Sequence, residues 1–173
     1  LGLVQARLGE RDEAKATLQL GIGKAREAND LVRIAFGRLN LGTLLHQAGD
    51  LGGAIAAYRE CRALFRRLGN RTQLARALNN LGNLHYLCGD LPRAKAYNEE
   101  ALRLAELSGV ERVVAMATVV DGVILGELGE DEAAERRLRE GMLLQQRAGG
   151  DRPVEALLEL AELQHRRGAN DRA

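Results

Sequence analysis

Four sets of residues recur along this chain at a spacing of 40. Leu41-Gly42, Leu81-Gly82 and Asp121-Gly122 form one column, and Leu1-Gly2 extends it towards the N-terminus. Gly9, Gly49, Gly89 and Gly129 form a second column, Ala14, Ala54, Ala94 and Ala134 a third, and Asn29, Gly69, Gly109 and Gly149 a fourth. Self-similarity at a fixed period of this length marks a supersecondary unit that buries its apolar face on copies of itself.

The columns punctuate helices. Gly9, Gly49, Gly89 and Gly129 stand where a helix must stop, because glycine takes the left-handed conformation without a Cβ penalty. The acidic residue after each (Glu10, Asp50, Asp90, Glu130) favours the start of the next helix through its dipole, and Asp50 and Asp90 can also cap it. Asn29, Gly69, Gly109 and Gly149 end the second helix of each unit, and Asn70 and Asp151 can cap the next one. First (A) helices are therefore predicted over 1–8, 30–48, 71–88, 110–128 and 151–167, and second (B) helices over 11–28, 51–68, 91–108 and 131–148. Residues 169–173 are expected to open a further B helix. Leu91, Ala94, Tyr97, Ala101, Leu102 and Ala105 trace one helical face. The run Val113–Val120 favours a strand locally, but the register puts it inside an A helix.

Composition agrees with an all-α reading: the chain has only two prolines and is rich in Ala, Leu, Arg, Glu and Gln. Lys plus Arg is 25 and Asp plus Glu is 24, a net charge of +1, with both signs interspersed along every segment. That is a solvated helix surface and not the basic face that phosphate binding needs, so direct nucleic-acid binding is not expected. The basic residues are nearly all Arg, a skew that points weakly to a GC-rich, bacterial source. The longest apolar stretch, 113–125, is too short and too interrupted to span a bilayer. Cys61 and Cys88 form no CxxC pair and read as small, buried structural thiols. The chain opens inside a repeat, and we expect it to be one domain, 1–173, of a longer cytoplasmic protein. Its units would be 1–28 (truncated), 30–68, 70–108, 110–148 and 151–173 (truncated).

The pattern resembles the tetratricopeptide repeat: a Leu-Gly pair on helix A, then on helix B a small residue, an Ala, a large apolar residue and another small one. Leu41-Gly42, Leu45, Ala54, Tyr58 and Cys61 match best. Leu81-Gly82, His85, Ala94 and Ala101 come next, with Asn98 in the aromatic place and Tyr97 one position early. Asp121-Gly122, Leu125, Ala134, Leu138 and Gly141 match more weakly. The period of 40 is similar to that of Leu-Gly-Asn-rich adaptors, kinesin light chains and LuxR-type bacterial ATP-binding regulators. The resemblance implies a right-handed α-α superhelix of about four and a half hairpins, with A helices lining the concave side. It implies groove positions Phe36, Leu39, Thr43, His46 and Gln47 in one repeat and Arg76, Asn79, Asn83, Tyr86 and Leu87 in the next. Met116, Val119, Val123 and Glu127 belong to the third set, and Glu155, Leu158, Glu162, His165 and Arg166 to the fourth.

The expected function is a protein-interaction scaffold that holds a peptide or a helix. In the candidate groove set (Thr43, Gln47, Arg76, Asn79, Asn83, Tyr86, Met116, Val119, Val123), Arg76, Asn79 and Asn83 would hold a backbone or carboxylate. Met116, Val119 and Val123 would form an apolar step, and Glu155 and Glu162 an acidic end. Two alternatives stay open: a ligand- or inhibitor-sensing segment of a bacterial transcription regulator, and self-association through exposed end helices. An enzyme is not expected. Ser108 is the only serine, and His46, His85 and His165 form no ligand cluster, so no cofactor and no metal are expected. Gly21-Ile22-Gly23-Lys24 lacks phosphate-loop spacing and falls in a helix. Asp121 stands in a normally buried Leu place, where a carboxylate must find an Arg or backbone donor or stay partly exposed.

Overall fold

A computed structural model describes residues 11–149 and 154–170, the side chains of 154, 155, 164 and 166–170 excepted. Eight helices succeed one another among these residues: α1 (Arg11–Glu27), α2 (Leu31–Gln47), α3 (Leu51–Arg67), α4 (Arg71–Leu87), α5 (Leu91–Ser108), α6 (Glu111–Glu127), α7 (Asp131–Arg147) and α8 (Val154–Asn170). The even-numbered ones are A helices and the odd-numbered ones B helices. The apolar run 113–120 lies wholly within α6.

Each stop is made by its column residue. Gly49, Gly69, Gly89, Gly109, Gly129 and Gly149 have φ between +66° and +79°, and Asn29 has +51°. At the end of α2, Gly49 N–H donates to His46 O (2.9 Å) and Asp50 N–H to Leu45 O (2.9 Å), the paired bonds of a Schellman motif. Asp50 then turns to the next helix and accepts from Gly53 N–H at 2.8 Å. Asn70 and Asp90 do the same double duty, accepting from Gln73 and Arg93 N–H. Asp30, which the sequence pattern did not single out, caps α2 through Arg33 N–H. At these junctions one residue closes a helix with its backbone N–H and opens the next with its side chain, within a linker of three residues. Glu130 makes no such cap, and Asp151 lies outside the described residues.

Small residues set the spacing within each hairpin. A Cβ added at Gly42 would stand 2.7 Å from the Tyr58 ring, and at Gly122 2.7 Å from the Leu138 side chain. At Gly82 it would meet the Ala94 carbonyl at 3.3 Å. Ala54, Ala94 and Ala134 are fully buried opposite these contacts. A helices also touch across repeats, α4 with α6 and α6 with α8, whereas successive B helices stay apart. The A helices therefore line the inner side of the stack. The core divides at α6. One cluster runs from Ile22 to Ala117, and a second joins Val119, Val123, Leu125, Ala134, Leu138, Ala156 and Leu163.

Two expectations need correcting. Residues 169 and 170 continue α8 instead of opening a new helix. The place 40 residues after Gly129 is Ala169, so the stop signal of the column is missing there. Cys88 is exposed, because it forms the C-cap of α4 and not part of its packed face. Cys61 is buried as expected, and burial pushes its thiol up to about 12, leaving it unreactive at neutral pH.

Candidate functional site on the inner face

The N-terminal halves of α4 and α6 enclose a cleft of about 300 Å³. Arg76, Thr72 and Gln73 enter it from α4, and Arg112, Val113 and Met116 from α6. Arg76 is exposed and lies across its own helix, donating to Gln73 Oε1 at 3.0 Å. The structure thus brings Arg76 and Met116 together, with Arg112 as a second guanidinium. Arg112 falls outside the groove positions of the repeat pattern. It was legible only as an exposed first-turn residue of α6.

A second cleft, about 420 Å³, lies between the C-terminal end of α6 and α8. Glu127, Leu158, Glu162 and His165 line it together with Ala161. Four positions carried over from the repeat register therefore converge. Glu155 and Arg166 have no described side chains.

Other expected groove residues point elsewhere. Val119 and Val123 are 3% and 7% exposed. They pack in the second core cluster, Val119 directly over Gly141 of α7. They form no apolar step on the surface. Asn79 is 5% exposed and buried within α4, so its amide faces the interior. Its Oδ1 has no hydrogen-bond partner. The Thr43 hydroxyl is bound to Leu39 O and Tyr58 OH, both at 3.1 Å. Burial raises the Tyr58 hydroxyl above its ordinary pKa, with the Thr43 bond opposing the shift. Tyr86 is half-buried against the second cluster, Asn83 is half-buried, and Gln47 is exposed.

A third cleft, about 710 Å³, is on the opposite side, between α5 and α7 with α6 as its floor. Lys95, Arg103, Arg136 and Arg137 stand there against Glu99, Glu106, Asp121 and Glu140, four charges of each sign. On its floor Asp121 pairs with Arg137 Nε at 3.1 Å and accepts from Asn98 Nδ2 at 3.4 Å. Asn98 also donates to Ala117 O at 3.1 Å. Burial raises the Asp121 carboxyl above its ordinary range, and Arg137 and Asn98 pull it back only in part. The carboxylate in the Leu column is thus a structural one, paired with Arg as the sequence suggested.

No group of three or more His, Cys, Asp or Glu side chains among the described residues is arranged to hold a metal ion. No helix among them is long and apolar enough to cross a membrane.

Stacked helical hairpins with a concave A-helix face define the class: an α-solenoid of repeats. Residues 33–106 match the family model of the tetratricopeptide repeat, and α1, α6 and α7 continue the same 40-residue register on either side of them. No curated protein matches the sequence. Among solved structures, the apo form of RapI is similar over 97% of this chain and 62% of its own, at 16% identity and a TM-score of 0.85. BtubC from P. vanneervenii is similar over 88% and 63%, at 22% identity and a TM-score of 0.75. The nearly identical repeats of a Podospora anserina kinesin light chain reach a TM-score of 0.66 at 12% identity, over 99% of this chain and 85% of theirs. The chain therefore spans under two thirds of RapI and of BtubC. At these identities the likeness is one of fold.

Proposed function

We propose that this segment holds a peptide or a helix of a partner protein on its inner face, anchored in the cleft between α4 and α6. Tetratricopeptide repeats are in general non-enzymatic protein-interaction scaffolds, and the chemistry of this cleft suits that role. Arg76 and Arg112 offer planar donors to a carboxylate or a backbone carbonyl. Met116 forms an apolar wall beside them, and methionine adapts its shape to varied side chains. The observation that carries the reading is this convergence of two guanidinium groups and an apolar wall in one open cleft. The outer cleft is larger, but its charges balance and its floor is closed by an ion pair.

The test is retention of proteins from native lysate by the wild-type segment, by Arg76→Ala/Met116→Ala, and by Lys95→Ala/Arg136→Ala on the outer cleft. A protein held by the wild type and the outer variant but lost by the inner one supports the reading. Equal retention by all three removes it.

A further inference from the structure

Among the described side chains, the two inner clefts are lined by charges of opposite sign. The cleft between α4 and α6 is lined by Arg76 and Arg112 with no acid. The cleft between α6 and α8 is lined, among the described side chains, by Glu127 and Glu162 with His165 and no Lys or Arg. The ion pairs among the described residues involve none of these four side chains. The outer cleft differs: it holds four charges of each sign, and Asp121, Arg137 and Glu140 are joined there in ion pairs. Arg112 lies in the first turn of α6 and Glu127 is its last residue. Fifteen residues of helix separate them, so the two charged ends are about 22 Å apart. Met116 lines the first of these clefts and is half-buried.

We infer that the occupant of the inner face is an extended peptide segment of a partner protein that is itself dipolar. An acidic group on it sits between Arg76 and Arg112. A basic side chain about seven residues away along an extended chain reaches Glu127 and Glu162. An apolar side chain next to the acidic group rests on Met116. Charge complementarity at both ends fixes the register and the direction of the segment, while contributing modestly to affinity. A segment with the same charge at both ends meets repulsion at one cleft. This inference rests on the proposed inner-face function and adds the chemistry of the ligand.

The test is selection of displayed random peptides, long enough to span both clefts, on the wild-type chain. Enriched peptides are expected to carry an acidic and a basic residue at that separation. Arg76→Glu/Arg112→Glu should bind such a peptide about tenfold more weakly and recover binding when the peptide's acid is replaced by Lys. Glu127→Lys/Glu162→Lys should respond to the basic end in the mirror-image way. All four side chains are exposed, so both double variants should keep the wild-type circular dichroism and melting curve. Peptides that enrich and are lost with Arg76→Ala/Met116→Ala, yet lack paired opposite charges or ignore Glu127→Lys/Glu162→Lys, overturn the polarity and leave the inner-face reading standing. If no enriched peptide responds to any inner-face variant, both fall.

Discussion

Asp121 and Arg137 show how one repeat departs from the rule that the others obey. In the repeat register Asp121 takes the place of Leu41 and Leu81, and Arg137 the place of Ala57 and Tyr97. An apolar contact between helices A and B has become an ion pair whose Asp side chain is 15% exposed. Removing one partner of such a pair costs more than removing both, because the remaining charge keeps its desolvation penalty. Arg137→Ala is expected to destabilise by about 1–3 kcal/mol, and Asp121→Leu/Arg137→Ala to return within about 1 kcal/mol of wild type, in denaturant titrations. A double variant weaker than the single one would contradict this account. The raised Asp121 carboxyl also sets a pH dependence. A raised folded value favours the folded state when the group is protonated. That contribution is fully present below the ordinary value of 3.8 and is lost as pH rises through the folded one. Relative to Asp121→Asn, wild type should therefore lose stability as pH rises through this window. Parallel curves for the two would show that Asp121 does not titrate differently in the folded state.

At the scale of the helix, glycine has two opposite meanings here. Gly21 lies in the middle of α1 with open space where a Cβ would go. Gly42 lies in α2 with the buried Tyr58 ring 2.7 Å from that point. Gly21→Ala should stabilise by about 0.5–1 kcal/mol, because alanine loses less backbone entropy in a helix. Gly42→Ala should destabilise by about 1–3 kcal/mol, because a close-packed hairpin must open to admit the methyl group. Thermal unfolding of the two variants decides, and a shift of the same sign in both would break the argument. Helix positions were legible from the sequence to within one or two residues up to Arg147, because each boundary is written in a left-handed residue, followed at Asp30, Asp50, Asn70 and Asp90 by a side-chain cap. The inner face was less legible. Arg76, Met116, Glu127, Leu158, Glu162 and His165, taken from the register, line two clefts. Asn79, Val119 and Val123 are buried, because their exposure depends on how closely the neighbouring turns approach. Gly141 opposite Val119 was the available signal for that approach. The outer cleft was missed altogether, since it arises from the gap between two B helices that share no sequence contact.

On the scale of the whole molecule, repeats interact with their neighbours and stability is close to a sum of local terms. The break in the core at α6 separates a large cluster over α1–α6 from a small one over α6–α8. Among the described residues the small cluster holds seven buried side chains, two of them alanine. Regions with fewer buried apolar contacts open at lower free energy. Amide hydrogens of α7 and α8 should therefore exchange before those of α2–α5, by mass spectrometry under native conditions. Uniform protection from α2 to α8 would mean that the split core still unfolds as one unit.

The ion pair on the floor of the outer cleft also limits how the repeats can be shuffled. Units with a common period invite exchange, in gene duplication or in consensus engineering. A crossover between positions 121 and 137 would part Asp121 from Arg137 and leave a half-buried charge facing an apolar side chain. One before position 98 or after 137 would carry Asn98, Asp121 and Arg137 together. The third hairpin is therefore inherited as a block with the end of the helix before it, and its place in the array is fixed by chemistry that its neighbours lack.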